Sequence, residues 1–89
     1  MNTYIVSYDL RTPGKNYSDL IAALKTYSNW MHALDSFWVI RSALTAVQVR
    51  DQLARHIDTN DKLIVVQSAH VGAWNGFTAQ NTEWLKTNL

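Results

Sequence analysis

Apolar positions recur with a period of two near the start of the chain. Residues 3–9 read Thr-Tyr-Ile-Val-Ser-Tyr-Asp, with Tyr4, Val6 and Tyr8 on one face of an extended run and Ile5 on the other. Apolar groups on both faces predict a central strand. The alternation breaks at Arg11-Thr12-Pro13-Gly14-Lys15-Asn16, where a Pro-Gly pair marks a turn. The period then lengthens. Tyr17, Leu20, Ile21, Leu24 and Tyr27 recur at three- and four-residue steps, the apolar stripe of a helix of about three turns. Asn16 is placed to cap it, and Asp19 suits its first turn.

Residues 30–34 alternate again, with Trp30, His32 and Leu34 set against Met31 and Ala33. Asp35-Ser36 separates them from Phe37-Trp38-Val39-Ile40-Arg41, which predicts a hairpin. Thr45-Ala46-Val47-Gln48 has the form of a capping box, and Val49, Leu53 and Ile57 follow four apart on one helical face. Asp58-Thr59-Asn60-Asp61 is a polar turn, and Lys62 to Gln67 is an apolar run of strand length. Strand, helix, strand, strand, helix, strand is the split βαβ, or ferredoxin-like, α+β pattern, with both helices on one face of a four-stranded antiparallel sheet. An open α+β fold with another strand order is the alternative. Residues 3–68 form this unit, and residues 69–89 extend it. The extension holds a turn at Trp74-Asn75-Gly76-Phe77 and a short helix within residues 80–88, with Glu83 and Lys86 at helical spacing. Trp74, Phe77, Trp84 and Leu85 are too apolar for a solvated tail. They are expected to cover the bare sheet face, an edge strand or a neighbouring chain.

Composition narrows the partners. At 89 residues the chain is a single domain. The absence of cysteine removes disulfides, zinc-thiolate sites and thiol catalysis. A formal net charge of +1 argues against a heavily basic nucleic-acid coat. No apolar run is long enough to span a membrane. Met1-Asn2-Thr3 leads into a strand without a basic leader, so a cytoplasmic location is expected. Of four Trp, four Tyr and two Phe, Trp30, Trp38, Trp74, Phe77 and Trp84 exceed what one helix-covered sheet face needs, which predicts that a partner chain, in a homodimer, covers the second face or the C-terminal segment.

Asp9 is the leading candidate for chemistry. It ends the first strand beside Arg11 and the Pro-Gly loop, where a carboxylate could hold Mg²⁺ or Mn²⁺ or simply accept hydrogen bonds from the turn. A second ligand would come from Asp35, Asp58 or Asp61, all expected as turn residues, or from the Asp9 of a two-fold mate. Arg11, Lys15 and Asn16, with a glycine and a helix N-terminus, could hold a phosphate or form a solvated loop. Tyr8 and His32 complete the candidate ligand-binding set. His32 shares its face with apolar groups and so also reads as a satisfied, partly buried histidine. His56 suits a helix end, and His70 lies beyond the last strand. There is no His-x-His, His-Glu-x-x-His or Gly-x-Ser-x-Gly spacing. The aromatics could stack bases, but the first and third strands lack the aromatic-glycine pattern of RNA-binding sheets, so packing is the default for Trp30 and Trp38.

Tyr4-Ile5-Val6-Ser7-Tyr8-Asp9-Leu10, Pro13-Gly14-Lys15-Asn16-Tyr17, Asn29-Trp30-Met31-His32 and Leu34-Asp35-Ser36 together resemble a family of short bacterial and phage proteins called SinR-like. His56-Ile57-Asp58, Asn60-Asp61-Lys62-Leu63 and Trp74-Asn75-Gly76-Phe77 extend the resemblance over nearly the whole chain. That family is similar, more remotely, to the small CRISPR-associated integration subunit and to virulence-associated protein D. The resemblance implies a ferredoxin-like fold, a dimer and metal-dependent nuclease action. Tyr8-Asp9 matches the shared strand ending, so Asp9 would be the metal-binding carboxylate, paired with that of its mate. The expected function is a metal-dependent nuclease acting on RNA or DNA through Asp9. The alternative is a non-catalytic module that binds nucleotide, nucleic acid or protein.

Overall fold

A computed structural model describes residues 1–12 and 14–89. Pro13, half of the expected Pro-Gly turn, lies outside the described residues. The elements run β1 (Asn2–Asp9), α1 (Ser18–Lys25), β2 (Asn29–Leu34), β3 (Phe37–Ser42), α2 (Ala46–Ala54), β4 (Lys62–Gln67) and α3 (Ala79–Asn88). The four strands form one antiparallel sheet in the order β2-β3-β1-β4, an α+β architecture compatible with the ferredoxin-like pattern. β1 is central, as its two-sided apolar pattern requires.

One sheet face carries Tyr4, Val6 and Tyr8 from β1 and Trp38 and Ile40 from β3. Leu20 and Leu24 of α1 and Val49 and Leu53 of α2 pack against them, all buried. Their spacing is the reason both helices form here: each pair, four residues apart, gives one stripe toward the sheet. The Thr45 hydroxyl accepts from the Gln48 amide at 3.2 Å and the Gln48 side chain accepts from the Thr45 amide at 2.9 Å, so the capping box closes as expected. α1 starts differently. Tyr17 occupies its cap position without a side-chain bond, and Asn16 accepts from the Ser18 amide at 2.9 Å just outside the helix. Asn16 therefore shapes the entry to α1 rather than capping it.

The hairpin forms at Asp35-Ser36, but its register shifts. Trp30 pairs with Ile40 and Met31 with Val39, whereas Leu34 pairs with Phe37. The extra residue is a bulge, and it moves Leu34 to the face of Met31 and Phe37, away from Trp30. Strict alternation through residue 34 therefore fails at Leu34.

The second sheet face is covered from within the chain. Met31 and Val39 pack with Leu85 of α3, and Trp74, Phe77 and Trp84 surround them. A polar seam holds the end of α3 in place. Thr3 donates its hydroxyl to the Asn88 carbonyl, the Asn29 amide nitrogen donates to Asn88 Oδ1 at 2.8 Å, and the Trp84 indole donates to Asn29 Oδ1 at 2.6 Å. The chain reverses after β4 at His70, whose φ is 66° and whose main-chain N–H donates a hydrogen bond to Ser68 Oγ at 2.9 Å. The cover stops short of the β4 edge, where Ile64 and Val66 stay exposed. No helix among the described residues is long and apolar enough to cross a membrane.

Leu24 sits without exposure beneath α1, so Leu24→Ala should cost about 2–5 kcal/mol, the usual range for such a cavity. Thr45→Ala removes only the box and should cost about 1 kcal/mol. Urea unfolding followed by circular dichroism checks both, and equal costs would contradict the assignment of Leu24 to the core.

Candidate functional site

One end of the sheet gathers the end of β1, the β2–β3 tip, the start of β4 and the loops entering α1 and leaving α2. Asp9 lies there, half exposed, opposite Lys62 of β4. Arg11 donates two N–H groups to the same Asp9 oxygen, Nε at 2.9 Å and Nη2 at 2.7 Å. The Arg11 hydrogen bond holds the Asp9 carboxyl below its ordinary 3.8. Slight burial opposes this, and the charges of Arg11 and Lys62 reinforce it. A shallow hollow of about 220 Å³ opens beside Asp9, between Ser7, Lys62 and Ile64.

Asp61 is the organising carboxylate of this end. It is buried, and it accepts from the Arg11 amide at 2.6 Å, the Asp58 amide at 2.8 Å and the Tyr17 hydroxyl at 2.9 Å. Tyr17 in turn accepts from the Thr12 amide at 3.2 Å. One carboxylate thereby joins the β1–α1 loop to the α2–β4 turn, across about 50 residues of sequence. Burial alone would raise the Asp61 carboxyl, but the Arg11 and Asp58 amides, the Tyr17 hydroxyl and the Lys15 charge outweigh it and hold it below 3.8. Lys15 itself pairs with Asp58 at 2.8 Å and lies 5.4 Å from the Tyr17 ring. Nearby, the Lys15 amide donates to the Thr12 carbonyl at 3.3 Å and Gly14 takes φ 76°, which glycine adopts without strain.

A second group surrounds Trp38. Its buried indole N–H donates to the Tyr8 hydroxyl at 3.0 Å, and that hydroxyl donates to the Asp35 carbonyl at 3.3 Å. His32 Nε2 lies 3.0 Å from the same carbonyl, and its ring stacks on Trp38 at 3.8 Å and 10°. A carbonyl only accepts, so Nε2 carries the proton, and Nδ1 holds the lone pair when the ring is neutral. His32 is exposed despite its apolar neighbours, so it is satisfied as expected but not buried. Trp30, 37% exposed, leans on Trp38 at 5.4 Å between ring centres, with Lys25 5.7 Å above its own ring.

The candidate residues therefore divide. Asp9 and Arg11 come together, and Lys15 and Asn16 lie on the following loop, each engaged by a neighbour. Tyr8 points to the opposite sheet face from Asp9 and joins His32 through Asp35. His56 borders the groove between α1 and α2, and His70 Nδ1 lies 2.6 Å from the Leu89 main-chain oxygen. Asp61 was expected as a turn residue or a second metal ligand, and nothing local in Asp58-Thr59-Asn60-Asp61 signals its distant donors. Among the described residues no three His, Asp or Glu side chains converge as a cation cage would require. Asp9, half exposed, is held by Arg11 and faces Lys62.

No family model matches this chain, and comparison with curated proteins and with solved structures gives no significant match to either.

The lowered Asp61 and Asp9 carboxyls set the acid limb of stability. A folded pKa below the unfolded one stabilises the fold above the unfolded value, and the gain is lost as pH falls through the folded value. Asp61→Asn should therefore lower the melting temperature at about pH 7, with the gap to the unaltered protein closing below 3.8. Thermal melts across that range measure it, and a gap that stays constant into acid would refute the assignment.

Proposed function

We propose that the protein is a non-catalytic binding module for a base joined to a phosphate, as in a nucleotide or a single strand of nucleic acid. The observation that carries this reading is the exposed His32 ring, fixed flat on Trp38 at 3.8 Å, with Trp30 exposed on the same strand. Bases stack on such rings whatever their sequence, and each stacked base contributes about 1–3 kcal/mol. Lys25 over Trp30 supplies a nearby cation. Arg11 and Lys15 are engaged by Asp9 and Asp58, so stacking rather than phosphate pairing would supply most of the affinity.

The second reading is the nuclease, together with the SinR-like kinship and the homodimer it implies. The observation favouring it is the bare half of the second face, where Ile64 and Val66 are exposed beside Asp9 and Lys62. A second copy seated there would bring two Asp9 carboxylates near one another and offer a divalent ion both.

Binding of a fluorescent single-stranded oligonucleotide should weaken roughly tenfold or more in His32→Ala and in Trp30→Ala, with a shallow salt dependence. Binding unchanged in both variants, or none to any single strand or nucleotide, would remove the stacking reading. RNA and DNA incubated with Mg²⁺ or Mn²⁺ test the second. Cleavage abolished by Asp9→Ala, from a protein that scatters light as a dimer, would replace the first reading with the second.

A further inference from the structure

A cavity of about 210 Å³ lies between the second sheet face and the C-terminal segment. Met31, Phe37 and Val39 of the sheet lie on one side, and Trp74, Phe77 and Leu85 on the other. The side chains that line it are apolar apart from one indole N–H, and polar atoms make up a minor part of its wall. The one indole N–H on its wall is turned to other use, since Trp74 donates to the Thr82 hydroxyl at 3.2 Å. An interior water needs two to four polar partners, and no side chain here is left to supply one. Such a largely apolar, half-open cavity favours an apolar guest over water. The size also selects the guest. An engineered apolar cavity of about 150 Å³ takes benzene, so this one is large enough for a single substituted aromatic ring or a short hydrocarbon chain. It is too small for the side chains of a helix face.

We propose that this cavity is a binding site for a small uncharged apolar ligand, of the size of one aromatic ring. The site is separate from the His32 platform, which lies on the opposite sheet face, and it does not depend on the stacking function. The bulge in β2 is part of its construction. By shifting the register it brings Leu34 to the cavity, where Leu34 and Val71 stand largely exposed on the wall and serve as its rim.

Toluene is a suitable probe, with methyl resonances of the isotope-labelled protein as the readout. Saturable shifts are expected at Met31, Leu34, Val39, Val71, Leu85 and Leu89, with those of Leu20, Leu24, Val49 and Leu53 unmoved. The melting temperature should rise with toluene concentration, because the ligand binds only the folded chain. Leu34→Trp, a change at the exposed rim, should fill the space and weaken toluene at least roughly tenfold. Val71→Trp provides a second filling variant should the first disturb the hairpin, and the unchanged circular dichroism of either certifies its fold. Shifts that do not saturate, shifts spread equally over both cores, or full toluene affinity in a folded filling variant would each overturn the proposal.

Discussion

An indole N–H withdrawn from water must find an acceptor, and much of this structure follows from how Trp38 finds one. Trp38 is fully buried at the centre of the helix-covered face. An unmet donor there would cost as much as a buried hydrogen bond gains or more. Tyr8 supplies the acceptor, and its own proton goes to the Asp35 carbonyl. The Tyr8 amide also donates to the Ser36 carbonyl at 3.2 Å. The hairpin tip is thereby tied to the central strand by both the main chain and a side chain. His32 closes the ring, bonding the same carbonyl and lying flat on Trp38. A packing requirement in the core thus fixes the orientation of a ring that faces solvent. This is how a site becomes preorganised without a loop that closes over it.

The charged groups at the same end obey a different constraint. Arg11 is held twice, its guanidinium by Asp9 and its amide by Asp61. Lys15 is held by Asp58, whose amide is also bound by Asp61. These ion pairs are exposed and contribute little to stability on their own. Their effect is on availability. A cation already facing a carboxylate meets phosphate only by giving up that partner, and a carboxylate already facing a guanidinium meets a metal ion on the same terms. This mutual engagement weakens both the anion-loop and the single-chain metal readings of the sequence. It leaves the aromatic surface as the feature whose groups are exposed without being engaged in that way.

What could be read along the chain is what depends on near neighbours. The capping box at Thr45 and Gln48 spans three residues, and the stripes of Leu20 with Leu24 and Val49 with Leu53 span four; all formed as their spacing required. Apolar groups on both faces of β1, Tyr4, Val6 and Tyr8 on one and Ile5 on the other, placed it at the centre for the same reason. Illegible features depended on distant partners or on one extra residue. Nothing near Asp61 announces that its donors are Arg11 and Tyr17. Nothing in Trp30-Met31-His32-Ala33-Leu34 marks the bulge that sends Leu34 across the sheet, because alternation has no term for the partner strand's length. Asp9 was identifiable as the end of a central strand. That Arg11, two residues on, would fold back onto it was open, since side-chain direction in an irregular loop is set by the surroundings.

The aromatic surplus shows why composition alone assigns partners poorly. Set against a two-layer α+β unit, Trp74, Phe77 and Trp84 are too many for one core, and a second chain is the natural inference. The structure builds a second, smaller core instead, in which Leu85 meets Met31 and Val39 and the aromatics pack around them. The sheet is therefore sandwiched by α1 and α2 on one side and by the C-terminal segment on the other. A sheet covered on both faces needs apolar side chains on both, which explains why β1 and β3 do not alternate cleanly. The cover is nonetheless lopsided. α3 is anchored by Asn88 to Thr3 and Asn29, toward β2, and so Ile64 and Val66 of β4 keep their exposure. The case for a second copy thus moves from the aromatics, which the chain itself accommodates, to two aliphatic side chains on an open edge strand. Among the described residues β4, like β2, is an edge of the four-stranded order, so a partner that covers Ile64 and Val66 can also extend the sheet.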